Sequence, residues 1–258
     1  MTPTPFSFDT ANTLNRLGMG VMRLTGQPGN FGPYPDWDQG VALLQEAADL
    51  GVQVFDSARA YGPGHADRLL GQALGDRPEV FLATKGGVDK PEPGRITVDG
   101  RPATLLRQIQ EARRWLRRDR IDLFQLHRVD PNTPIERSVE ALALAQARGW
   151  IAHIGLSNVT RADLDRARAV APIASVQNRF NKAEQSDADL VDYTASLGIA
   201  YLPYGPLGAA PMQYGARLDP GAAMRWLLKR SSNIILIPGT TDPAHLRANV
   251  AAVQAMPA

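Results

Sequence analysis

Residues 51–87 read GVQVFDSARAYGPGHADRLLGQALGDRPEVFLATKGG, and the pattern in this stretch decides the fold. The apolar runs at 51–56 and 80–84 are short and typical of buried parallel strands. Between them, residues 65–75 carry apolar side chains at three- and four-residue spacing, which predicts an amphipathic helix. The stretch therefore predicts a strand, a helix and a second strand, with a loop of unusual polarity after the first strand.

The same alternation repeats along the chain. Further strand-like runs lie at 16–21, 121–126, 151–157, 174–178, 199–204 and 233–238, and helical patterns lie at 37–50, 104–118, 133–149, 161–170, 187–198, 219–230 and 242–253. Eight strands, each followed by a helix, predict an α/β fold of the (β/α)8 TIM-barrel type. A doubly wound open sheet is the alternative, but no Gly-x-Gly-x-x-Gly motif follows an early strand. No change of composition marks a second domain, so we expect one barrel domain over residues 1–258.

Local signals predict finer features of these elements. Thr133, Pro134 and Glu136 form a Ser/Thr-x-x-Glu pattern with proline at the first helical position, which predicts a capping box at the start of the fourth helix. Gly51 follows the first helix and is a suitable stop. The stretch at 90–103 is interpreted as the longest loop after a strand. His65 is expected to start a helix, and His153 to be structural within its strand.

Composition narrows the class of protein. The net charge is +2 and hydrophobic residues make up 44% of the chain, which indicates a globular domain and gives little support for a nucleic-acid partner. The arginines within 113–120 are interpreted as a solvated helix face. The chain has no cysteine, so disulfides, thiolate catalysis and cysteine zinc sites are excluded. No pair of histidines has metal-ligand spacing, and no metal is expected.

The same reading sets expectations for location and assembly. The first ten residues lack the basic and apolar regions of a signal peptide, and no apolar run is long enough to span a bilayer. We therefore expect a cytoplasmic protein without a membrane partner. No exposed apolar repeat demands an oligomer, so a monomer is expected.

Polar residues follow consecutive predicted strands. Asp56 ends the second strand and Tyr61 lies in the loop behind it, while Lys85 and His127 follow the third and fourth strands. In a barrel the active site lies at the carboxyl ends of the strands, so these side chains should converge on one mouth. Each alone has an ordinary interpretation, as a cap, a packed aromatic, a solvent-facing lysine or a core histidine. Together they favour an active site.

This set of residues suggests a particular chemistry. A tyrosine titrates at about 10, too high for easy acid catalysis near neutrality. A lysine ammonium about 4 Å away, at an effective dielectric of about 20, attracts a phenolate by on the order of 4 kcal/mol, roughly three pK units before burial opposes it. Asp56 would keep a buried Lys85 charged, and His127 would donate a hydrogen bond to a substrate oxygen. Such a site protonates an oxygen while hydride reaches carbon.

With these residues in place, the chain resembles the aldo-keto reductases over essentially its whole length. The resemblance lies in DSARAYG (56–62), ATKGG (83–87), IDLFQLHRVD (121–130), GWIAHIGLSN (149–158), SVQNRFN (175–181), YLPYGPLG (201–208) and IPGTTDPAHLRANV (237–250). It implies a barrel that binds NADPH, with NADH possible, and reduces a small-molecule carbonyl compound. The family's catalytic tetrad falls on Asp56, Tyr61, Lys85 and His127, with Tyr61 as proton donor.

The resemblance also implies a set of cofactor-binding residues. They are Gly20, Met22, Ser157, Asn158, Gln177, Tyr204, Pro206, Leu207, Gly239, Thr240, Thr241, His245 and Asn249. Many family members carry a lysine and an arginine that bind the 2′-phosphate at the positions of Gly239 and His245. Here backbone amides, Thr240 and Arg247 could still bind that phosphate. The segment 205–219 is shorter than is usual in the family, which predicts a less enclosed cofactor.

Two other functions remain open from the sequence. One is a Schiff-base aldolase using Lys85, and the other is a cofactor-binding regulatory protein with little turnover. The substrate is not determined. Its pocket is expected to draw on Met22, Arg23, Leu24, Tyr34, Arg128 and Tyr214.

Overall fold

The computed structural model describes residues 4–10, 12–205 and 219–255. Its strands are β1 (Phe6–Ser7), β2 (Thr13–Leu14), β3 (Gly18–Gly20), β4 (Val54–Asp56), β5 (Phe81–Gly86), β6 (Val88–Glu92), β7 (Arg95–Val98), β8 (Ile121–Leu126), β9 (Ile151–Ser157), β10 (Ser175–Gln177) and β11 (Ala200–Tyr201). Its helices are α1 (Trp37–Asp49), α2 (His65–Leu74), α3 (Pro102–Leu116), α4 (Ile135–Ala147), α5 (Arg161–Arg168), α6 (Ala188–Ser196), α7 (Pro220–Arg230) and α8 (Pro243–Gln254). None of these helices is long and apolar enough to cross a membrane.

Seven strands form one parallel sheet in the order β3, β4, β5, β8, β9, β10, β11. Strands that follow one another in the predicted barrel are therefore neighbours, with a helix crossing between each pair. A doubly wound sheet would reverse its strand order at a switch point, and this sheet does not. The order supports the (β/α)8 prediction.

Residues 233–238 close the sheet into a barrel. The Tyr201 amide donates to the Asn233 carbonyl at 2.9 Å, and the Gly18 amide donates to the Leu236 carbonyl at 2.7 Å. Single parallel bridges join this segment to β11 on one side and to the residue before β3 on the other. The predicted eighth strand thus supplies the closing contacts, although it pairs through bridges rather than a continuous ladder.

Side chains alternate between the barrel interior and the helix layer. Val54 lies in the small interior cluster, whereas Phe55 packs in the larger cluster beneath the helices. Because side chains two residues apart in a strand share a face, Asp56 projects to the same side as Val54, and Lys85 to the same side as the interior residue Ala83. An apolar interior layer therefore lies directly beneath a polar one at the carboxyl end of the strands.

Two hairpins were not expected from the sequence. The hairpin β1–β2 packs against the opposite end of the barrel, where Phe8 stacks on Phe81 with ring centroids 4.7 Å apart. There His153 Nε2 lies 3.0 Å from Asp9 Oδ2, so His153 has the structural position predicted for it. The second hairpin is β6–β7, which occupies most of the segment predicted as a loop at 90–103.

The predicted capping box of the fourth helix is wrong. Helix α4 begins at Ile135 with Pro134 as its cap residue and no side-chain capping bond. The Thr133 hydroxyl instead donates to Asp130 Oδ2 at 2.8 Å. A nearby carboxylate in the tertiary structure has captured the hydroxyl that the local pattern assigned to the helix. The stop after α1 is as predicted, with Gly51 at a φ of 89°.

Candidate active site

Asp56 and Lys85 form a buried ion pair at the mouth of the barrel. Lys85 Nζ donates to Asp56 Oδ2 at 2.7 Å and to the Ser57 carbonyl at 2.8 Å. The other carboxylate oxygen, Asp56 Oδ1, accepts from Gln177 Nε2 at 2.9 Å and from Gln125 Nε2 at 3.2 Å. The relative exposure is 3% for Asp56 and 1% for Lys85. Hydrogen bonds from several partners thus compensate both charges of the ion pair, as a buried charge requires.

The ion pair keeps the lysine charged. Burial by itself lowers the pKa of Lys85, but the Asp56 carboxylate and the Tyr61 phenol outweigh it, and the net pKa is raised. Lys85 is therefore an ammonium at neutral pH, as expected from the sequence. A nucleophilic lysine must lose its proton, and this environment opposes that loss.

Tyr61 lies beside Lys85 and His127. Lys85 Nζ is 5.2 Å from the centroid of the phenol ring, and the His127 ring meets it edge-on with centroids 6.0 Å apart. Burial raises the pKa of Tyr61 and the nearby carboxylate of Asp56 adds to the rise, while Lys85 lowers it. The net pKa is raised, because burial outweighs the attraction on which the sequence argument relied. Tyr61 therefore remains a protonated donor at neutral pH.

The loop after β4 brings Tyr61 back over the barrel. The Arg59 amide donates to the Lys85 carbonyl at 3.0 Å, and the Tyr61 amide donates to the Ala58 carbonyl at 2.9 Å. Gly62 follows with a φ of 73°, and a Cβ there would lie 2.6 Å from the Gly32 carbonyl. Only glycine fits this turn without strain. The sequence Tyr-Gly thus fixes the direction in which the loop leaves the site.

His127 follows β8 and is neutral. Burial, together with the positive charges of Lys85, Arg128 and Lys90, lowers the pKa of His127 to about 3. A neutral imidazole has one N–H group that can donate a hydrogen bond. His127 is thus suited to orienting a carbonyl oxygen near Tyr61, and poorly suited to donating a proton at neutral pH.

Four predicted cofactor residues surround this group. Asn158 has a φ of 56° and donates from Nδ2 to the His127 carbonyl and to Ser157 Oγ, each at 3.0 Å. The Tyr204 hydroxyl donates to Asn158 Oδ1 at 2.7 Å. Gln177 is joined to Asp56 through its amide nitrogen. Hydrogen bonds therefore connect the predicted cofactor side chains to two members of the tetrad.

The remaining hydrogen-bonding capacity fits a primary carboxamide. Gln177 Oε1 accepts no hydrogen bond within the parts of the chain that the structure describes, and the Ser157 hydroxyl accepts from Asn158 but donates to none of them. An NH2 group needs an acceptor and a carbonyl oxygen needs a donor. These two side chains can supply both.

The C-terminal cofactor segment lies around the start of α8. Gly239 approaches Gly20 so closely that a Cβ on Gly239 would lie 2.8 Å from the Gly20 carbonyl oxygen. Thr240 Oγ1 accepts from the Asp242 amide at 3.0 Å, and the Asp242 carboxylate caps α8. Thr241, His245 and Asn249 are each partly or fully exposed in this region. The segment thus borders the site through Gly20, the last residue of β3.

Two observations limit the predicted phosphate contacts. The Arg247 guanidinium donates to Glu46 Oε1 at 2.6 Å. The exposed ring of His245 lies 3.7 Å from Asp242 Oδ2. Both side chains that could contact a 2′-phosphate therefore already face carboxylates.

Some predicted residues do not reach the site, and two were missed. Leu24 is fully buried in the core rather than lining a pocket, whereas Met22 is 40% exposed. The predicted residues Pro206, Leu207 and Tyr214 lie outside the described residues. The missed residues are Gln125, a polar residue inside an apolar strand, and Asp67, a fully buried carboxyl on α2. The position of Gln125 within an apolar strand could have identified it as a buried polar residue, but no sequence pattern marks Asp67 as buried.

Comparison with known proteins identifies relatives over almost the whole chain. The model of the aldo/keto reductase family matches residues 16–222. Pyridoxine 4-dehydrogenase of Escherichia coli is 38% identical, with 98% of this chain and 93% of that protein aligned. An uncharacterised oxidoreductase of Schizosaccharomyces pombe is 34% identical, with 93% of this chain and 81% of that protein aligned.

Solved structures with the same fold include two bacterial proteins. A glycerol dehydrogenase from Gluconobacter oxydans has a TM-score of 0.88 and 25% identity, covering 100% of this chain and 92% of that one. An aldo-keto reductase from Klebsiella pneumoniae, solved in complex with NADPH, has a TM-score of 0.82 and 23% identity, covering 100% and 92%. The fold is therefore the TIM-barrel type of these reductases. Among the described residues no cluster of histidine and carboxylate side chains could hold a metal ion.

Proposed function

The chain belongs to the aldo/keto reductase family, and from this membership and the site geometry we propose that it reduces a small aldehyde or ketone to an alcohol with NADPH. One observation carries the proposal. The buried Asp56–Lys85 ion pair lies beside Tyr61, a phenol that stays protonated, at the carboxyl end of a parallel barrel. This arrangement supplies a proton to an oxygen and stabilises the charge left behind.

Each member of the tetrad has a separate task in this proposal. Tyr61 gives its proton to the carbonyl oxygen. The ammonium of Lys85 stabilises the phenolate that forms, and Asp56 keeps that ammonium charged inside the barrel. His127, neutral at working pH, donates a hydrogen bond that orients the carbonyl oxygen. Bound NADPH supplies the hydride that reaches the carbonyl carbon, so a hydride and a proton together give the alcohol.

The chain's own residues would hold the cofactor in a defined way. Ser157 and Gln177 would bind the nicotinamide carboxamide, since each has hydrogen-bonding capacity left over. Tyr204 would lie against the ring, and Gly239 to Thr241 would border the phosphates. The NADPH in the Klebsiella structure supports this choice of cofactor. Arg247 lies six residues after Thr241 in the sequence, and it would have to exchange Glu46 for the 2′-phosphate.

The substrate class that we propose first is an aromatic aldehyde of the pyridoxal type. It is suggested by the E. coli relative, a pyridoxine 4-dehydrogenase with 38% identity over nearly the full length of both chains. A panel of pyridoxal, benzaldehydes, aliphatic aldehydes and ketones would rank the substrates by kcat/KM. If pyridoxal ranked below simple aliphatic aldehydes, this assignment would be wrong while the general reductase proposal stood.

The general proposal is tested with Tyr61→Phe. We expect the wild-type chain to consume NADPH in the presence of an aldehyde and the variant to lose roughly 10²–10⁴-fold in kcat, the usual contribution of a positioned general acid. Cofactor affinity, measured by fluorescence titration, should stay nearly unchanged in the variant. Full activity of Tyr61→Phe would overturn the mechanism.

The two alternatives make different predictions in the same assay. A Schiff-base aldolase would be trapped on Lys85 by borohydride in the presence of substrate, which the raised pKa of Lys85 opposes. A regulatory protein would bind NADPH but turn over no carbonyl compound in the panel. NADPH consumption that depends on Tyr61 distinguishes the reductase from both.

A further inference from the structure

A second carboxyl lies behind the ion pair and has no task in the mechanism above. Asp67, in the first turn of α2, is completely buried. Its Oδ1 accepts from the hydroxyl of Thr84, the residue before Lys85, at 2.9 Å. Within the described parts of the chain, Asp67 Oδ2 and the hydroxyl of Ser57 make no hydrogen bond of good geometry, although Ser57 lies near enough to lower the pKa of Asp67. Ser57 is the residue whose carbonyl accepts from Lys85.

The position of Asp67 is costly for a merely structural residue. Acidic residues in the first turn of a helix usually cap it or stay in solvent, but this side chain points into the protein and bonds to a strand. A buried carboxylate with one hydrogen bond is poorly compensated for lost hydration. Burial accordingly raises the pKa of Asp67 to about 6, even though Ser57, Thr84 and the positive charge of Lys85 lower it.

We infer that Asp67 is a positioning residue of this active site, whose buried negative charge adds to that of Asp56 and keeps the Tyr61 phenol protonated. The inference rests on the proposed reductase function. Asp67 accepts a hydrogen bond from Thr84, the residue before Lys85, and lies near Ser57, the residue after Asp56. It therefore acts on Tyr61 through the charge and placement of Lys85 and does not touch substrate itself.

The balance of charges around Asp67 supports this role. The charged groups that act on Asp67 from other elements are Lys85 on β5, which is paired with Asp56 on β4, and Arg59 in the loop after β4. On its own helix, Asp67 has His65 and Arg68 as neighbours in the sequence. Arg59 forms ion pairs with Asp89 and Glu111, which offset its positive charge. Arg68 lies over the ring of Trp115 at 4.7 Å and is exposed.

The buried charged groups are therefore one ammonium, that of Lys85, and two carboxylates, those of Asp56 and Asp67. With Asp67 ionised, its net charge is negative, which disfavours a phenolate at Tyr61. Without that charge, the ammonium of Lys85 is balanced by Asp56 alone, and the phenolate becomes easier to form.

The test is the pH dependence of the reverse reaction in Asp67→Asn. Alcohol oxidation needs Tyr61 as a phenolate, so its rate rises with pH until the phenol has titrated. Removing the Asp67 charge should move the midpoint of kcat/KM to lower pH by about one unit, the size expected for one nearby charge. The control is Thr84→Val, which removes the hydrogen bond to Asp67 but leaves the carboxyl, and should move the midpoint much less.

The outcomes separate this inference from the proposed function. If the wild type oxidises alcohols and Tyr61→Phe does not, the reductase function stands, and an unshifted profile in Asp67→Asn overturns only the inference. A wild type without activity overturns the proposed function instead. The inference can then still be tested by ultraviolet titration of the Tyr61 phenol, taken as the difference between chains with and without Tyr61. Should Asp67→Asn fail to fold, Asp67→Ser carries the same prediction.

Discussion

Lys85 Nζ lies 2.7 Å from Asp56 Oδ2 inside the barrel, with both side chains almost entirely buried. Such an ion pair gains from its attraction only if the remaining polar atoms are also satisfied. Here the second oxygen of Asp56 accepts from two glutamine amides, and the lysine also donates to a backbone carbonyl. Removing one partner should therefore strongly destabilise the fold, because the other charge stays buried without compensation. It should also impair the chemistry that depends on a charged lysine.

Asp56→Asn should reduce both stability and activity. The substitution leaves the buried ammonium of Lys85 without its counter-ion, which typically costs about 3–5 kcal/mol of unfolding free energy. Lys85 would then lose its proton more easily, and kcat should fall because the phenolate of Tyr61 loses its stabilising charge. Urea unfolding and steady-state kinetics measure the two effects. Glu46→Gln, which breaks an exposed ion pair to Arg247, is the control and should change stability by less than about 1 kcal/mol.

Asp67→Asn should change how stability depends on pH. The folded pKa of Asp67, about 6, lies above the ordinary value of 3.8. Its contribution to stability is therefore full below the unfolded pKa and is lost as pH rises through 6. Asparagine does not ionise and so pays no cost for a buried charge. Between pH 4 and pH 8 the free energy of unfolding of the variant should therefore rise relative to that of the wild type, by at most about 3 kcal/mol. Urea unfolding of both chains at both pH values tests this. An equal change in the free energy of unfolding with pH for wild type and variant would contradict a buried, ionising Asp67.

His127 should not titrate in the neutral range. Its folded pKa of about 3 lies below the ordinary 6.5, so the ring stays neutral through the pH range of the assay. NMR of the histidine side chains should show one ring whose shifts stay constant from pH 8 to pH 5. The signals of that ring should be missing from the spectrum of His127→Gln. A midpoint near 6.5 for His127 would mean that the site is more open to solvent than the structure shows.

Arg247 should carry part of the preference for NADPH. We expect Arg247→Ala to raise the KM for NADPH about tenfold and leave the KM for NADH nearly unchanged, since one charge-assisted contact contributes about 1.5–3 kcal/mol at most. Glu46→Ala should do the reverse and lower the KM for NADPH, because it releases the guanidinium. Equal kcat/KM for the two cofactors in the wild type would remove the basis for this expectation.

Much of the fold could be predicted because it depends on local patterns. The bounds of β8 and β9 agree with the predicted runs at 121–126 and 151–157, since both strands are continuous and apolar. The prediction was less accurate where pairing partners decide the outcome. The run at 199–204 contains only the short strand β11, and the predicted loop at 90–103 became part of a hairpin.

By itself, the sequence determined the order of strands and helices, and with it the convergence of Asp56, Lys85 and His127. Parallel strands joined by helices bring their carboxyl ends to one mouth, so a polar residue that ends a strand must lie there. Only the tertiary structure decided how the charges balance. Burial is produced by packing between elements far apart in the chain, and no local pattern shows that it would raise the pKa of Tyr61 or enclose Asp67 behind Lys85.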